Sequence, residues 1–139
     1  DHWGYIRHFP QGMSQGDITR KAYNYQIQHI VAVLMNQAMN DWVQERARRN
    51  LKSYAYATLY DNIGWVVHED ELQEVWDLSM EVMTAKRPAG PKEGPLPILN
   101  SWHIPTEGEL SREWEGPAIK PESLGIIPHD ELNRTGLEN

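Results

Sequence analysis

The chain has 139 residues, of which 40% are hydrophobic and 24% charged, and its length predicts a single domain with a modest core. The net charge of -7 argues against a nucleic-acid partner, because a polyanion selects an excess of Lys and Arg. The sequence contains no Cys, which excludes disulfides, thiolate metal ligands and a thiol nucleophile in this chain. No apolar run approaches the roughly 18 residues of a membrane span, so no transmembrane segment is predicted.

Residues 1–16 predict an irregular N-terminal arm, because helix-breaking residues are interspersed with aromatic ones. The breakers are Gly4, Pro10, Gly12 and Gly16. Aromatic side chains on such an arm suit a surface that another chain half buries. The arm therefore contributes three candidate interface residues, Trp3, Tyr5 and Phe9.

Residues 17–63 contain neither Gly nor Pro, and their apolar residues recur at intervals of three and four. This pattern predicts helix, with the Asp17 side chain capping its start and Gly64 closing its end. The sequence leaves open whether the segment forms one helix or two. A break is expected near Asn40 or later, near Asn50.

Residues 69–87 predict a further helix. Acidic residues occupy its first turn, Lys86 and Arg87 its last, and Pro88 prevents continuation. Its apolar stripe consists of Leu72, Val75, Trp76, Ser79, Val82 and Met83. A short connection to the preceding helix predicts that the two are antiparallel or steeply crossed neighbours.

Residues 88–139 contain eight of the nine Pro and six of the ten Gly, together with many large apolar side chains. This composition predicts an extended C-terminal tail that wraps a partner chain, with short helical turns at 106–114 and 128–134. The candidate interface residues of the tail are Trp102, Leu110, Trp114, Ile119, Ile126, Ile127 and Leu132. The predicted fold is thus mainly α, with an arm (1–16), a helical domain of two or three helices (17–87) and the tail (88–139).

Few residues fit a catalytic or metal-binding pattern. His68 and Glu71 are three apart at a helix start, and His103 follows a serine by two positions. No set of three ligands with a defined geometry is evident, so no metal is expected to bind this chain alone, although a partner chain could carry one. The cluster of basic residues at 46–52 predicts a solvated helix face or, alternatively, a docking patch for an acidic chain.

The segment around residues 54–83 resembles part of the helical half of the β chains of nitrile hydratase and thiocyanate hydrolase. The resemblance depends on the aromatic run Tyr54-Ala-Tyr-Ala-Thr-Leu-Tyr60 and the helix start Val66-Val-His-Glu-Asp-Glu-Leu72. The family's glycine-rich opening and C-terminal barrel have no counterpart in this sequence. The resemblance implies a helix over 54–60 and a Cys-free subunit that lines the pocket of a separate, metal-carrying α-type chain.

Three functions remain open at this point. The first is a small non-catalytic subunit of a soluble hetero-oligomeric enzyme, with a metal-dependent hydratase or hydrolase as one candidate. The second is a peripheral accessory subunit of a respiratory or photosynthetic membrane complex. The third is a stand-alone helical enzyme that uses His68, Glu71 or His103. The absence of Cys favours the cytoplasm, while an organelle or the periplasm stays open if a leader was removed before Asp1.

Overall fold

The computed structural model describes residues 5–88, 101–102, 105–114 and 116–127. Two α-helices, α1 (Gln15–Arg49) and α2 (Leu72–Thr84), flank a hairpin of strands β1 (Tyr54–Leu59) and β2 (Asn62–Val66). A 3-10 turn (Glu69–Glu71) leads into α2, and a short strand pair, β3 (Arg87–Pro88) and β4 (Ser101–Trp102), follows it. A second 3-10 turn spans Pro121–Leu124. The predicted mainly α fold with two or three helices is therefore confirmed in part, since the described chain has two helices but also an antiparallel hairpin that was not predicted.

The first helix is continuous over 35 residues. Its N-cap is Ser14, whose Oγ accepts a hydrogen bond from the Asp17 backbone N–H at 3.2 Å. The helix thus begins two residues before the predicted start, and Asp17 lies in its first turn rather than at the cap. No break occurs near Asn40. The helix ends at Asn50, which adopts the left-handed conformation (φ 56°) and donates its N–H to the last-turn carbonyls.

The β-hairpin occupies residues for which the sequence predicted helix. Tyr54 pairs with Val66 and Leu59 with Asn62, with a bulge between Ala55 and Ala57. Gly64 therefore lies inside a strand and does not cap a helix, and the helix implied over 54–60 is a strand. Aromatic and β-branched residues suit a half-buried pleated surface, and this hairpin buries Ile63 in the core.

The core lies where α1, α2 and the inner face of the hairpin meet. One cluster contains Trp42, Leu51, Val75, Leu78 and Val82, and a second contains Met35, Ala38 and Ile63. The predicted stripe of α2 is confirmed, since none of its six residues is exposed. The helix ends at Thr84, however, so Lys86 and Arg87 do not belong to its last turn.

The tail differs from its predicted form where the structure describes it. Residues 106–114 are irregular rather than helical, and Leu110 forms an isolated antiparallel bridge with Ile119. The predicted turn at 128–134 lies outside the described residues. In the described part of the chain, neither helix has the length and apolar character required to cross a membrane.

Candidate functional site

The first half of α1, residues 15–29, extends beyond the core and is called the extension of α1. Buried residues of this helix begin only at Ile30, so none of residues 15–29 is buried. At about 1.5 Å per residue, this half is about 22 Å long. The tertiary packing that stabilises most protein helices is therefore concentrated in the second half of α1.

The N-terminal arm covers one face of this extension. The Tyr5 ring lies 4.4 Å from that of His29, which also stacks on Tyr25 at 5.4 Å. The Arg7 guanidinium lies over the Tyr25 ring, 5.5 Å from its centroid. Between arm and helix is an open cleft of about 260 Å³, lined by Tyr5, Ile6, Arg7, Phe9, Ala22, Tyr25 and Gln26.

A different face of the extension is apolar and exposed. Tyr23 and Ile27 are 71% and 65% exposed. Residues 23, 27, 30 and 34 follow one another at steps of four, three and four, so Tyr23 and Ile27 form one stripe along the helix with Ile30 and Leu34. This chain buries Ile30 and Leu34 but leaves Tyr23 and Ile27 in solvent. The stripe therefore continues beyond the part of the helix that the chain itself covers.

The outer face of the hairpin is a second exposed apolar surface. Tyr56 contacts Trp114 edge to face, with ring centroids 5.6 Å apart. The same Tyr56 ring covers Gly64, where an added Cβ would lie 2.7 Å from the ring atoms. The other exposed members of this face are Tyr54, Leu59 and Val66.

The predicted interface residues occupy several different environments. Tyr5, Trp114 and Ile127 are exposed, and Phe9, Leu110 and Ile119 are half-buried. Trp102 lies in β4, opposite Arg87. Trp3 and Leu132 lie outside the described residues. The exposed residues of the hairpin and of α1 were not predicted, because the apolar periodicity of both segments indicated a buried amphipathic helix.

Ile126 is buried within the chain itself, with 2% of its surface exposed. Next to it, the Gln73 side chain holds the backbone of Ile127, accepting its N–H at 2.8 Å and donating to its carbonyl at 3.3 Å. Further along the same helix, Trp76 packs on Gly108, where an added Cβ would lie 2.6 Å from the ring. Ile126, which the sequence predicted as an interface residue, is therefore buried by its own chain, and α2 helps to hold it in place.

The candidate catalytic residues His68 and Glu71 belong to a structural hydrogen-bond network. The Glu71 carboxylate accepts from the backbone N–H groups of Lys52 and Ser53, both at 2.9 Å, and from the Ser53 hydroxyl at 2.6 Å. Ser53 Oγ in turn accepts from the His68 backbone N–H. The network joins the start of the hairpin to the turn before α2. His103 lies outside the described residues.

These hydrogen bonds to the Lys52 backbone and to Ser53 lower the pKa of Glu71 from its ordinary 4.5 to about 2. A general base works best when its pKa lies near the working pH, so a carboxylate held this low is a poor one. The hydroxyl of Ser53 is committed to Glu71 rather than to an imidazole. The geometry therefore gives these residues a structural role.

Replacing Glu71 with Gln is expected to lower the melting temperature by several degrees at pH 7, because the charged acceptor is lost. The folded-state pKa lies below the unfolded one, so the stabilisation is full above about pH 4.5 and disappears as the pH falls toward 2. Thermal unfolding of both proteins between pH 7 and pH 2 checks this, and the two curves should converge at low pH. Glu69→Gln removes the same charge from an exposed neighbour and should have little effect; an equal loss there would contradict the assignment.

The basic residues at 46–52 are largely engaged within the chain. Arg48 and Arg49 both bind the carboxylate of Glu45, and Arg46 donates to the Ser53 carbonyl. Glu45 in return has its pKa lowered by the hydrogen bonds from Arg48 and Arg49. Within the part of the chain that the structure describes, no three His, Asp or Glu side chains converge on a common point.

No family model, curated protein or solved structure matches this chain. The geometry defines a helix–hairpin–helix chain with two exposed apolar surfaces, one on the extension of α1 and one on the hairpin.

Proposed function

We propose that this chain is a non-catalytic subunit of a hetero-oligomeric enzyme and that a partner chain binds the extended first half of α1. The observation that carries the proposal is the stripe containing Tyr23 and Ile27. A continuous apolar stripe that one chain covers only in part is typical of a helix completed by another chain, and exposed apolar surfaces of this kind mark interaction sites.

The energetics support the same assignment. An isolated helix of about 12–15 residues is marginally stable in water, so the extension depends on contacts outside the main core. The arm supplies some of these contacts on one face, through Tyr5 and Arg7. A partner helix lying along the stripe would bury both exposed side chains, which contribute about 1.5–3 kcal/mol each when fully covered.

Replacing Tyr23 and Ile27 together with Ser is expected to weaken binding of the partner chain by about 100-fold or more. The readout is native mass spectrometry of the complex isolated from its source, followed by titration of the partner chain identified there. The matched control is Asn24→Ser with Gln28→Ser, which alters exposed polar positions one residue further along the same helix. It should retain both partner and affinity.

Hydrogen exchange gives an independent test. Amides of residues 15–29 are expected to exchange quickly in the isolated chain and slowly in the complex. Slow exchange throughout this range in a lone monomer would contradict the proposal. Hydratase or hydrolase activity, the class to which the resemblance of residues 54–72 points, is the first activity to assay in the isolated complex.

A further inference from the structure

The extension of α1 has a weak intrinsic preference for helix. Nine of its 15 residues are Gly, Asp, Ile, Thr, Tyr, Asn or His, which rank below Ala, Leu, Lys, Arg, Gln and Glu as helix formers. The second half of α1 is held by the core and supplies the helix nucleus, so residues 15–29 need only propagate it. Propagation through weak helix formers is close to neutral in water. The extension therefore unwinds from its N-terminus unless other contacts hold it.

The N-terminal arm supplies such contacts along the length of the extension. Tyr5 lies on His29, the last residue before the buried part of α1. Two residues further along the arm, Arg7 lies over Tyr25, one turn closer to the start of the helix. The chain then enters the helix at its N-cap, Ser14. The arm thus runs antiparallel to the extension and connects its free end to the point where the core begins.

The arm and the exposed stripe occupy different faces of the extension. The helix residues beneath the arm share one face, at spacings of three and four, and are Ala22, Tyr25, Gln26 and His29. Tyr23 and Ile27 lie roughly 130° around the helix from the centre of this face, at about 100° per residue. A partner helix on the stripe therefore leaves the arm in place, and both interactions act on the same helical segment.

We propose that the arm regulates the partner site by holding the extension helical, so that docking of the arm and binding of the partner chain are positively coupled. This inference rests on the proposed function, because the partner chain is the one that binds the stripe. Tyr23 and Ile27 form one stripe only while the extension is helical. When only a fraction of the molecules has a helical extension, the apparent dissociation constant rises by the inverse of that fraction.

Removing the arm contacts should loosen the extension in the isolated full-length chain. Tyr5→Ala with Arg7→Ala is expected to make the amides of residues 18–29 exchange about tenfold faster than in the unmodified chain, with residues 34–49 unchanged. Both side chains are exposed, so the core stays folded. Rapid-mixing hydrogen exchange read by mass spectrometry measures the rates. The matched control is His8→Ala, at an exposed arm residue outside the lining of the cleft, and it should change neither rate.

The same two substitutions should weaken binding of the partner chain by about tenfold, measured by the titration described above. Adding Gly16→Ala and Asn24→Ala to this variant separates helix stabilisation from direct contact. Both positions are exposed, and an added Cβ at Gly16 has no atom outside the adjoining helix turn within 4 Å. Ala is the strongest helix former, so the two changes should slow the exchange again and restore most of the affinity.

Unchanged exchange of residues 18–29 in the arm variant would overturn the inference, whatever its affinity for the partner. Faster exchange with unaltered affinity would also overturn it, because the two events would then be uncoupled. An affinity that Gly16→Ala and Asn24→Ala do not restore would show direct contact between arm and partner, which contradicts the inference as well. Failure of the proposed function gives a different result, since replacing Tyr23 and Ile27 with Ser would then leave binding unchanged.

Discussion

Replacing Trp42 with Ala is expected to lower the free energy of unfolding by about 3–5 kcal/mol, the cost of removing a large aromatic side chain from a packed core. Trp42 is fully buried at the centre of the main cluster, 6.1 Å from the Trp65 ring. Its Nε1 donates to the hydroxyl of Ser79 at 3.1 Å. The substitution therefore leaves a cavity between the helices and a buried hydroxyl without its donor.

Urea denaturation gives the measurement, because the midpoint and slope together yield the free energy of unfolding. A domain of this size is stable by only about 5–15 kcal/mol, so the variant could unfold altogether. Trp42→Phe keeps most of the volume and should cost less. The control is Trp114→Ala, which removes an indole that is 62% exposed and should change the stability by less than about 1 kcal/mol. A larger loss at Trp114 than at Trp42 would place the core elsewhere.

Replacing Arg87 with Met is expected to lower the free energy of unfolding by about 2–3 kcal/mol, since buried hydrogen bonds to a charged group are lost. Arg87 is 9% exposed, and its guanidinium donates to the Asp41 carboxylate at 2.6 Å and to the Val82 carbonyl at 2.7 Å. The residue thus ties the segment after α2 to the second half of α1. Because Asp41 is half exposed, water compensates part of the loss at that partner.

Lys86→Met is the matched control, because it removes an exposed positive charge from the preceding residue. Its effect on the urea midpoint should stay within about 0.5 kcal/mol. Equal effects at the two positions would show that net charge matters rather than the specific contacts of Arg87. Asp41→Asn should give an intermediate loss, since the carbonyl of Val82 keeps its donor.

The second helix was predictable from the sequence because its signals are local. The acidic start at residues 69–71 and the stripe from Leu72 to Met83 both appear in the structure. Hydrophobic periodicity over a complete helix is sufficient to identify its buried face. Only its last turn was misplaced, because Arg87 is engaged by Asp41, a residue distant in sequence.

The hairpin was not predictable in this way. The absence of Gly and Pro from residues 17–63 concealed a turn at residues 60–61, where Tyr60 adopts a positive φ of 54°. Such a conformation is uncommon for a large side chain and leaves no signature in the sequence. In short apolar runs, periodicity does not distinguish a strand from a helix. In the structure the segment is a strand, and its Ile63 side chain packs in the core against Met35 and Ala38.

For the candidate surfaces as well, the sequence predicted the exposure of some apolar side chains and not of others. The sequence indicated exposed aromatic residues in the arm and tail, and Tyr5 and Trp114 are indeed exposed. It could not show that Ile126 is buried against its own chain, nor that Tyr23 and Ile27 remain in solvent while Ile30 and Leu34 do not. Tyr23 and Ile27 continue the same apolar spacing as Ile30 and Leu34, so the sequence pattern does not show which of these side chains are buried.

The sequence by itself determined that helix starts near Asp17, the second helix with its buried stripe, and the change in composition after Arg87, because capping, periodicity and breakers act over a few residues. Only the tertiary structure decided where the first helix gives way to strands, which apolar side chains are buried and that Glu71 is a structural acceptor. Those outcomes depend on contacts between residues far apart in the chain, such as Trp42 with Ser79 and Gln73 with Ile127. The free energy of such contacts is set by three-dimensional proximity, which local sequence patterns do not encode.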